Sequence, residues 1–282
     1  MSPENAACLR AAGIDCCVVA NNHVLDWGLA GLIETIDTLE TLGIKMVGAG
    51  RNLAEAIRPA VLDIADRGRV IIQAFGLPTS GVPGGWAAAA DSPGVNVLPD
   101  LSAQNVDRIR HQLDNVRRPG DIVVVSLHWG TNWGYDIPRS QRRFTHDLID
   151  AADVSIVFGH SSHHAKAIEI YKDRQILYGC GDFLNDYEGI GVRKEFRGDL
   201  AVMYFARVDV ATGNLLALDL KPLQIRRFQL VRASPEDVIW MQRTLARESR
   251  DFGADIEQRG YSQLAGNAPR QGSVGTSATP IR

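Results

Sequence analysis

The chain has 282 residues, 45% of them hydrophobic and 22% charged, with a formal net charge of -3. This is the composition of an ordinary soluble globular protein, long enough for one large domain or two small ones. The charge excludes a general attraction to nucleic acid or anionic membranes. No run approaches the roughly 18–20 apolar residues of a membrane span, and Met1-Ser2-Pro3-Glu4-Asn5 lacks the basic and apolar regions of a signal peptide. A soluble, cytoplasmic chain is the default expectation.

Ser2-Pro3 opens a short predicted helix that Gly13 stops. Residues 14–19 are short, β-branched and Gly-bounded, and read as a buried strand. They run into Ala20-Asn21-Asn22-His23. A helix over 28–42 follows, with Leu29, Leu32, Ile33, Ile36, Leu39 and Leu42 on one stripe, and then a strand over 44–48. Strand, helix, strand predicts a parallel βαβ unit. Gly48-Ala49-Gly50 is read as a plain turn before a short helix over 53–57. Residues 60–64 and 70–75 read as a hairpin. Residues 78–100 are broken by Pro and Gly, apart from a helical piece expected at 86–90. A lid over a site and a surface insertion both remain open for them.

A stripe from Ala103 to Val116 predicts a helix, with His111 off it and solvated. Residues 122–127 are a strand ending in His128-Trp129-Gly130. Pro138 opens a helix that turns Phe144 and Leu148 inward and leaves His146 elsewhere. Residues 154–158 are a strand ending in Gly159-His160-Ser161-Ser162-His163-His164. Beyond it the pattern becomes β: hairpins over 167–178 and 200–231, then a helix capped by Ser234. The domain is expected to span 1–252. Residues 253–282, Gly-, Ser-, Pro- and Thr-rich from about 262, are expected to be a disordered tail. Cys8, Cys16, Cys17 and Cys180 form no C-x-x-C pair and read as reduced core residues.

Three strand ends thus deliver imidazole to the edge where open α/β sheets bind ligands. Neutral imidazole is the commonest nitrogen ligand for zinc, copper, iron and nickel, and amide oxygen suits harder cations. Asn22, His128, His160 and His163 are therefore candidate ligands for one or two divalent ions. No Gly-x-Ser-x-Gly elbow occurs, so Ser126, Thr131 and Ser161 do not form a recognisable nucleophile.

Asn21-Asn22-His23 with Asp26, Val47-Gly48-Ala49-Gly50-Arg51-Asn52, His128-Trp129-Gly130, Gly159-His160-x-x-His163 and Gly181-Asp182-Phe183-Leu184, in this order, resemble the CapA family. That is the poly-γ-glutamate capsule-synthesis family, related in fold to the calcineurin-like metallophosphoesterases. The resemblance runs from about residue 3 to about 230. It implies an α/β fold, a four-layer α/β/β/α sandwich of metallophosphoesterase type. It also implies Asn22, His128, His160 and His163 as ligands of Mn, Zn or Fe, and His23 as general acid oriented by Asp26. Two ions would clamp the scissile group.

The chain departs from the family in four places. The Gly-Asp strand and Asn-Leu-Glu motif that supply acidic groups are missing, which implies a chain truncated at its N-terminus and lacking N-terminal strands. Ser161-Ser162 replaces His-Pro, Asp182 replaces asparagine, and the membrane anchor common in the family is missing. The implied function is hydrolytic, metal-dependent chemistry in poly-γ-glutamate or capsule metabolism, with an anionic polymer or phosphoester as substrate and a capsule-synthesis complex as partner. Two alternatives stand beside it. One is a non-catalytic assembly or export component with a degenerate site. The other is a generic phosphoesterase, which would place Arg51, Arg139 or Arg193 near the metal loops.

Overall fold

The computed structural model describes residues 3–65, 67–185, 193, 195–260 and 262–267. A 3-10 turn, Pro3–Ala6, runs into α1 (Ala7–Ala11). The strand β1 (Cys16–Val18), helix α2 (Gly28–Thr41) and strand β2 (Lys45–Val47) form the expected unit, with β1 and β2 parallel and Cys17 opposite Met46. Helix α2 buries Leu32, Ile36 and Leu39, whereas Leu29, in its first turn, is 48% exposed.

Then come β3 (Ala49–Gly50), α3 (Leu53–Ala56), β4 (Ala60–Ile64), β5 (Gly68–Gly76) and β6 (Gly94–Val95). They are followed by α4 (Ala103–Asp114), β7 (Ile122–His128), α5 (Arg139–Ala152), β8 (Ile156–His160), β9 (Ile168–Tyr171) and β10 (Arg174–Leu177). The main sheet has the order β4-β5-β7-β8-β10-β9. Its inner four strands are parallel and its two outer strands antiparallel. A second sheet is built from β11 (Leu200–Val208), β12 (Leu215–Arg226), β13 (Gln229–Arg232), β14 (Asp255–Gln258) and β15 (Leu264–Asn267), with α6 (Pro235–Ser249) between β13 and β14 in the chain.

Side chains alternate across a strand. On one face of the main sheet Ile71, Phe75, Val123, Val125, Leu127 and Val157 pack with Val106, Ile109 and Leu113 of α4 and Phe144, Leu148 and Ile149 of α5. On the other face Ala74 packs with Ala20 and Val47, so the β1–β2 unit lies over it. Ser126 and His128 flank Leu127 in sequence and therefore face this second side. Further along, Leu177 and Ile168 join a separate core with α6 and the second sheet.

Three expectations are corrected. The tail expected over 253–282 carries β14 and β15, which pair with each other and, through β15, with β12. Gly266 opposite Leu218 leaves room for that leucine, and Ile256 and Leu264 are buried in the core with α6, so this sparse stretch is held by pairing and by a few apolar anchors. Residues 268–282 lie outside the described residues. The strand expected up to 231 breaks at Arg227 and Phe228, both at positive φ (54° and 58°), a two-residue turn that carries no Gly or Asn signal. In the 78–100 segment, the expected helix at 86–90 is instead a 3-10 turn, Gly84–Trp86, followed by extended bridges from Ala87 and Ala89. That segment buries Val82, Val95, Val97 and Leu98. All four cysteines are free, and no helix among the described residues is long and apolar enough to cross a membrane.

Candidate metal centre

Strand register assembles the centre. Gly76, His128 and His160 sit side by side at the C-terminal ends of the parallel strands β5, β7 and β8. His128 Nδ1 lies 2.9 Å from His160 Nδ1, and His128 Nε2 lies 3.0 Å from Asn22 Oδ1. Asn22 arrives from the loop after β1, 106 residues away in sequence. Ser126 Oγ stands 3.0 Å from His160 Nε2. The 78–100 segment closes on the same point: Ser80 Oγ donates to the His128 carbonyl at 2.6 Å, and Gly81 lies against Asn22. Arg108 of α4 donates to the side-chain oxygen of Asn96 and the carbonyl of Val97, which pins the far end of that segment.

His163, expected in the same cluster, is paired instead with Asp182 at 3.0–3.1 Å, and its ring lies 5.3 Å from that of Trp133. His164 is buried in an aromatic group with Trp133, Tyr135 and Phe196. His23 Nδ1 is 2.8 Å from Asp26 Oδ2, and both side chains are about half exposed. Of the three arginines considered, Arg51 is taken up by Asp37, Glu40 and Glu55. Arg139 is exposed. The Arg193 guanidinium lies over the Trp133 ring, close to the His163 loop. His146 bonds Glu169 and stacks on Tyr171, away from the trio.

Burial, followed by repulsion from His23, pushes His128 down to about 4. Burial and then His128 push His160 down to about 3. Both rings are therefore neutral at pH 7. The Asp182 carboxylate raises His163. Among the described residues no three His, Cys, Asp or Glu side chains converge on one point. What lies together is a chain of contacts, Asn22 Oδ1 to His128 Nε2 and His128 Nδ1 to His160 Nδ1: two neutral imidazoles and one amide oxygen, donor types that suit a borderline divalent cation.

The metal-free chain should lose stability in acid. Unfolded histidines titrate near 6.5, whereas His128 and His164 are held near 4 and His160 near 3. Below 6.5 the unfolded chain takes up protons that the folded chain refuses, so stability falls from about pH 6.5 towards 4. His163, shifted upward, works the other way: its contribution is complete below 6.5 and is lost as pH rises through its folded value. Urea midpoints measured in EDTA between pH 4 and 7 should drop steadily on acidification. A flat profile would contradict the burial of these rings.

Sequence reasoning sets Ser126 aside as a nucleophile and gives neither it nor Ser80 a place beside the histidines. Each is a lone serine without a surrounding motif, and only strand register or loop packing places it.

A family model described as bacterial capsule synthesis protein PGA_cap matches residues 1–187, more than half of the chain. The chain belongs to this family. It is 44% identical over 260 residues to a probable polyglutamine synthesis accessory protein of Mycobacterium tuberculosis (strain ATCC 25618 / H37Rv), covering 92% of this chain and 68% of the relative. It is 26% identical over 224 residues to the capsule biosynthesis protein CapA of Bacillus anthracis, covering 79% of this chain and 51% of that protein. The PGA biosynthesis protein CapA of Bacillus subtilis (strain 168) is 31% identical over 168 residues, 59% of this chain and 41% of the relative. The chain thus spans about two thirds of the Mycobacterium relative and about half or less of the two CapA proteins. Asn22, His128 and His160 all fall within the residues matched by the PGA_cap family model.

Proposed function

We propose that the chain serves poly-glutamate or capsule synthesis through a divalent-cation site of metallophosphoesterase type on a four-layer α/β/β/α sandwich. The observation that supports this reading is the meeting of Asn22, His128 and His160 from three separate chain segments at one strand edge. The names of the relatives supply the pathway. Asn22, His128 and His160 would hold the cation, with His163 beside them, oriented by Asp182. A bound cation supplies Lewis-acid polarisation of the scissile group.

The chain's own groups do the rest. The half-exposed His23, its Nδ1 held by Asp26, presents Nε2 as the proton donor to a leaving group. Arg193 over Trp133 provides positive charge for an anionic polymer or phosphoester. The test is elemental analysis of the purified chain and of His128→Ala and His160→Ala. Near-stoichiometric Mn, Zn or Fe, lost in both variants, supports the site. Turnover of poly-γ-glutamate or of an aryl phosphate then divides the substrates. An equal, low metal content in all three proteins would leave a non-catalytic assembly component as the reading.

A further inference from the structure

Ser126 is fully buried on β7, and its hydroxyl faces His160 Nε2 at 3.0 Å. With the Asn22 amide oxygen towards His128, the chain of contacts that Ser126 begins has one consistent polarity in the metal-free protein. Asn22 Oδ1 is an acceptor, so the His128 Nε2 facing it at 3.0 Å carries the proton. A neutral His128 then has a bare Nδ1. The His160 Nδ1 facing that atom at 2.9 Å must therefore be the donor. His160 Nε2 is left bare, and the Ser126 hydroxyl donates to it.

A cation changes this order. It takes either His160 Nδ1 directly, or His128 Nε2, whose proton then moves to Nδ1 and points at His160. Either way His160 Nδ1 ends as a lone pair and Nε2 ends protonated. The ring stays neutral: one proton leaves Nδ1 for solvent and one is taken up at Nε2. Its partner must then accept instead of donate. A carbonyl can only accept and an amide N–H can only donate, whereas a hydroxyl does both.

We propose that Ser126 is the positioning residue of the centre, a reversible hydrogen-bond partner that holds the His160 ring through both the metal-free and the cation-bound tautomer. This rests on the metal reading above for its second half only. Groups that orient a ligating histidine typically govern metal affinity by about 10- to 100-fold.

The test uses the whole chain with 15N-labelled histidine. Long-range 15N–1H spectra in EDTA should show His160 as the Nδ1–H tautomer, and saturating zinc should convert it to Nε2–H. In Ser126→Ala the metal-free ring should keep the Nδ1–H tautomer that Asn22 and His128 impose but lose its fixed setting, read as broadened His160 ring resonances, and zinc affinity by calorimetry should fall about 10- to 100-fold, with circular dichroism unchanged. Ser126→Thr should restore both. A wild-type His160 that is already Nε2–H in EDTA overturns the proposal, as does a Ser126→Ala protein with unaltered His160 ring resonances and affinity. A wild type that binds no zinc overturns the metal reading instead, and the EDTA spectra of wild type and Ser126→Ala still decide whether Ser126 sets the ring.

Discussion

Gly159→Ala is expected to cost about 3 kcal/mol of folding stability and to disperse the candidate metal centre with it. A Cβ at this position would meet the Tyr178 carbonyl at 2.5 Å, Trp129 Nε1 at 2.7 Å and the Leu177 carbonyl at 2.8 Å. Two of these are backbone atoms of the chain at and just past the end of β10. The third belongs to a buried indole whose N–H donates to the same Tyr178 carbonyl at 3.1 Å. None of them can swing aside, so β8 would have to move away from β10. The next residue is His160, and its backbone carbonyl accepts from Trp129 N–H. The displacement therefore reaches the imidazole pair. Thermal denaturation should show a melting point lower by roughly 6–12 °C, and zinc binding should be lost. A variant within 1 °C of the parent would show that the strand tip yields more easily than its backbone contacts indicate.

Glu169→Ala should be about as damaging, far from the candidate centre. The carboxylate is 3% exposed. It accepts from Arg142 at 3.0 and 3.2 Å, from His146 at 3.0 Å and from the Tyr178 hydroxyl at 2.5 Å. It thereby fastens α5 to the β9–β10 hairpin. Burial and the hydrogen bond to Glu169 push the Tyr178 hydroxyl up. Removing one member of a buried charged set typically costs about 3–5 kcal/mol. Arg142 is 43% exposed and can recover water, so a loss nearer about 3 kcal/mol is expected. Glu169→Gln keeps an acceptor for Tyr178 and should lose roughly half as much. Urea denaturation measures both, and a loss below about 1 kcal/mol for the alanine variant would refute the network's role. Metal content should be unaffected, which separates this variant from Gly159→Ala.

Much of the fold was legible because its signals are local. The β-branched runs at 122–127 and 154–158 could only be buried strands, and the stripe of α2 between two short strands could only be a crossover. The mixed α/β architecture followed. Asn22, His128 and His160 were legible for the same reason, as polar residues at the ends of apolar runs. What escaped notice depends on partners distant in sequence. The turn at Arg227 and Phe228 has no glycine, and pairing between β12 and β13 imposes it. Strands β14 and β15 are too short and too poor in large apolar residues to stand out until β12 lies beside them. His163 was grouped with its neighbour His160, but Ser161, at a φ of 119°, redirects the chain and delivers it to Asp182. Ser126 was set aside for want of a nucleophile elbow, and only strand register sets it beside an imidazole.

The pairing of His128 with His160 across β7 and β8 carries a thermodynamic consequence. A slip of one residue between these strands would send one ring to the opposite face, under α4 and α5. An ion gripped by both rings would therefore recognise one alignment of the sheet and no other. Its binding energy would be withheld from every misaligned or unfolded form, so at a hundredfold excess over its dissociation constant it would stabilise the native alignment by about 2.7 kcal/mol. The ion would then act as a folding clasp as well as a chemical participant.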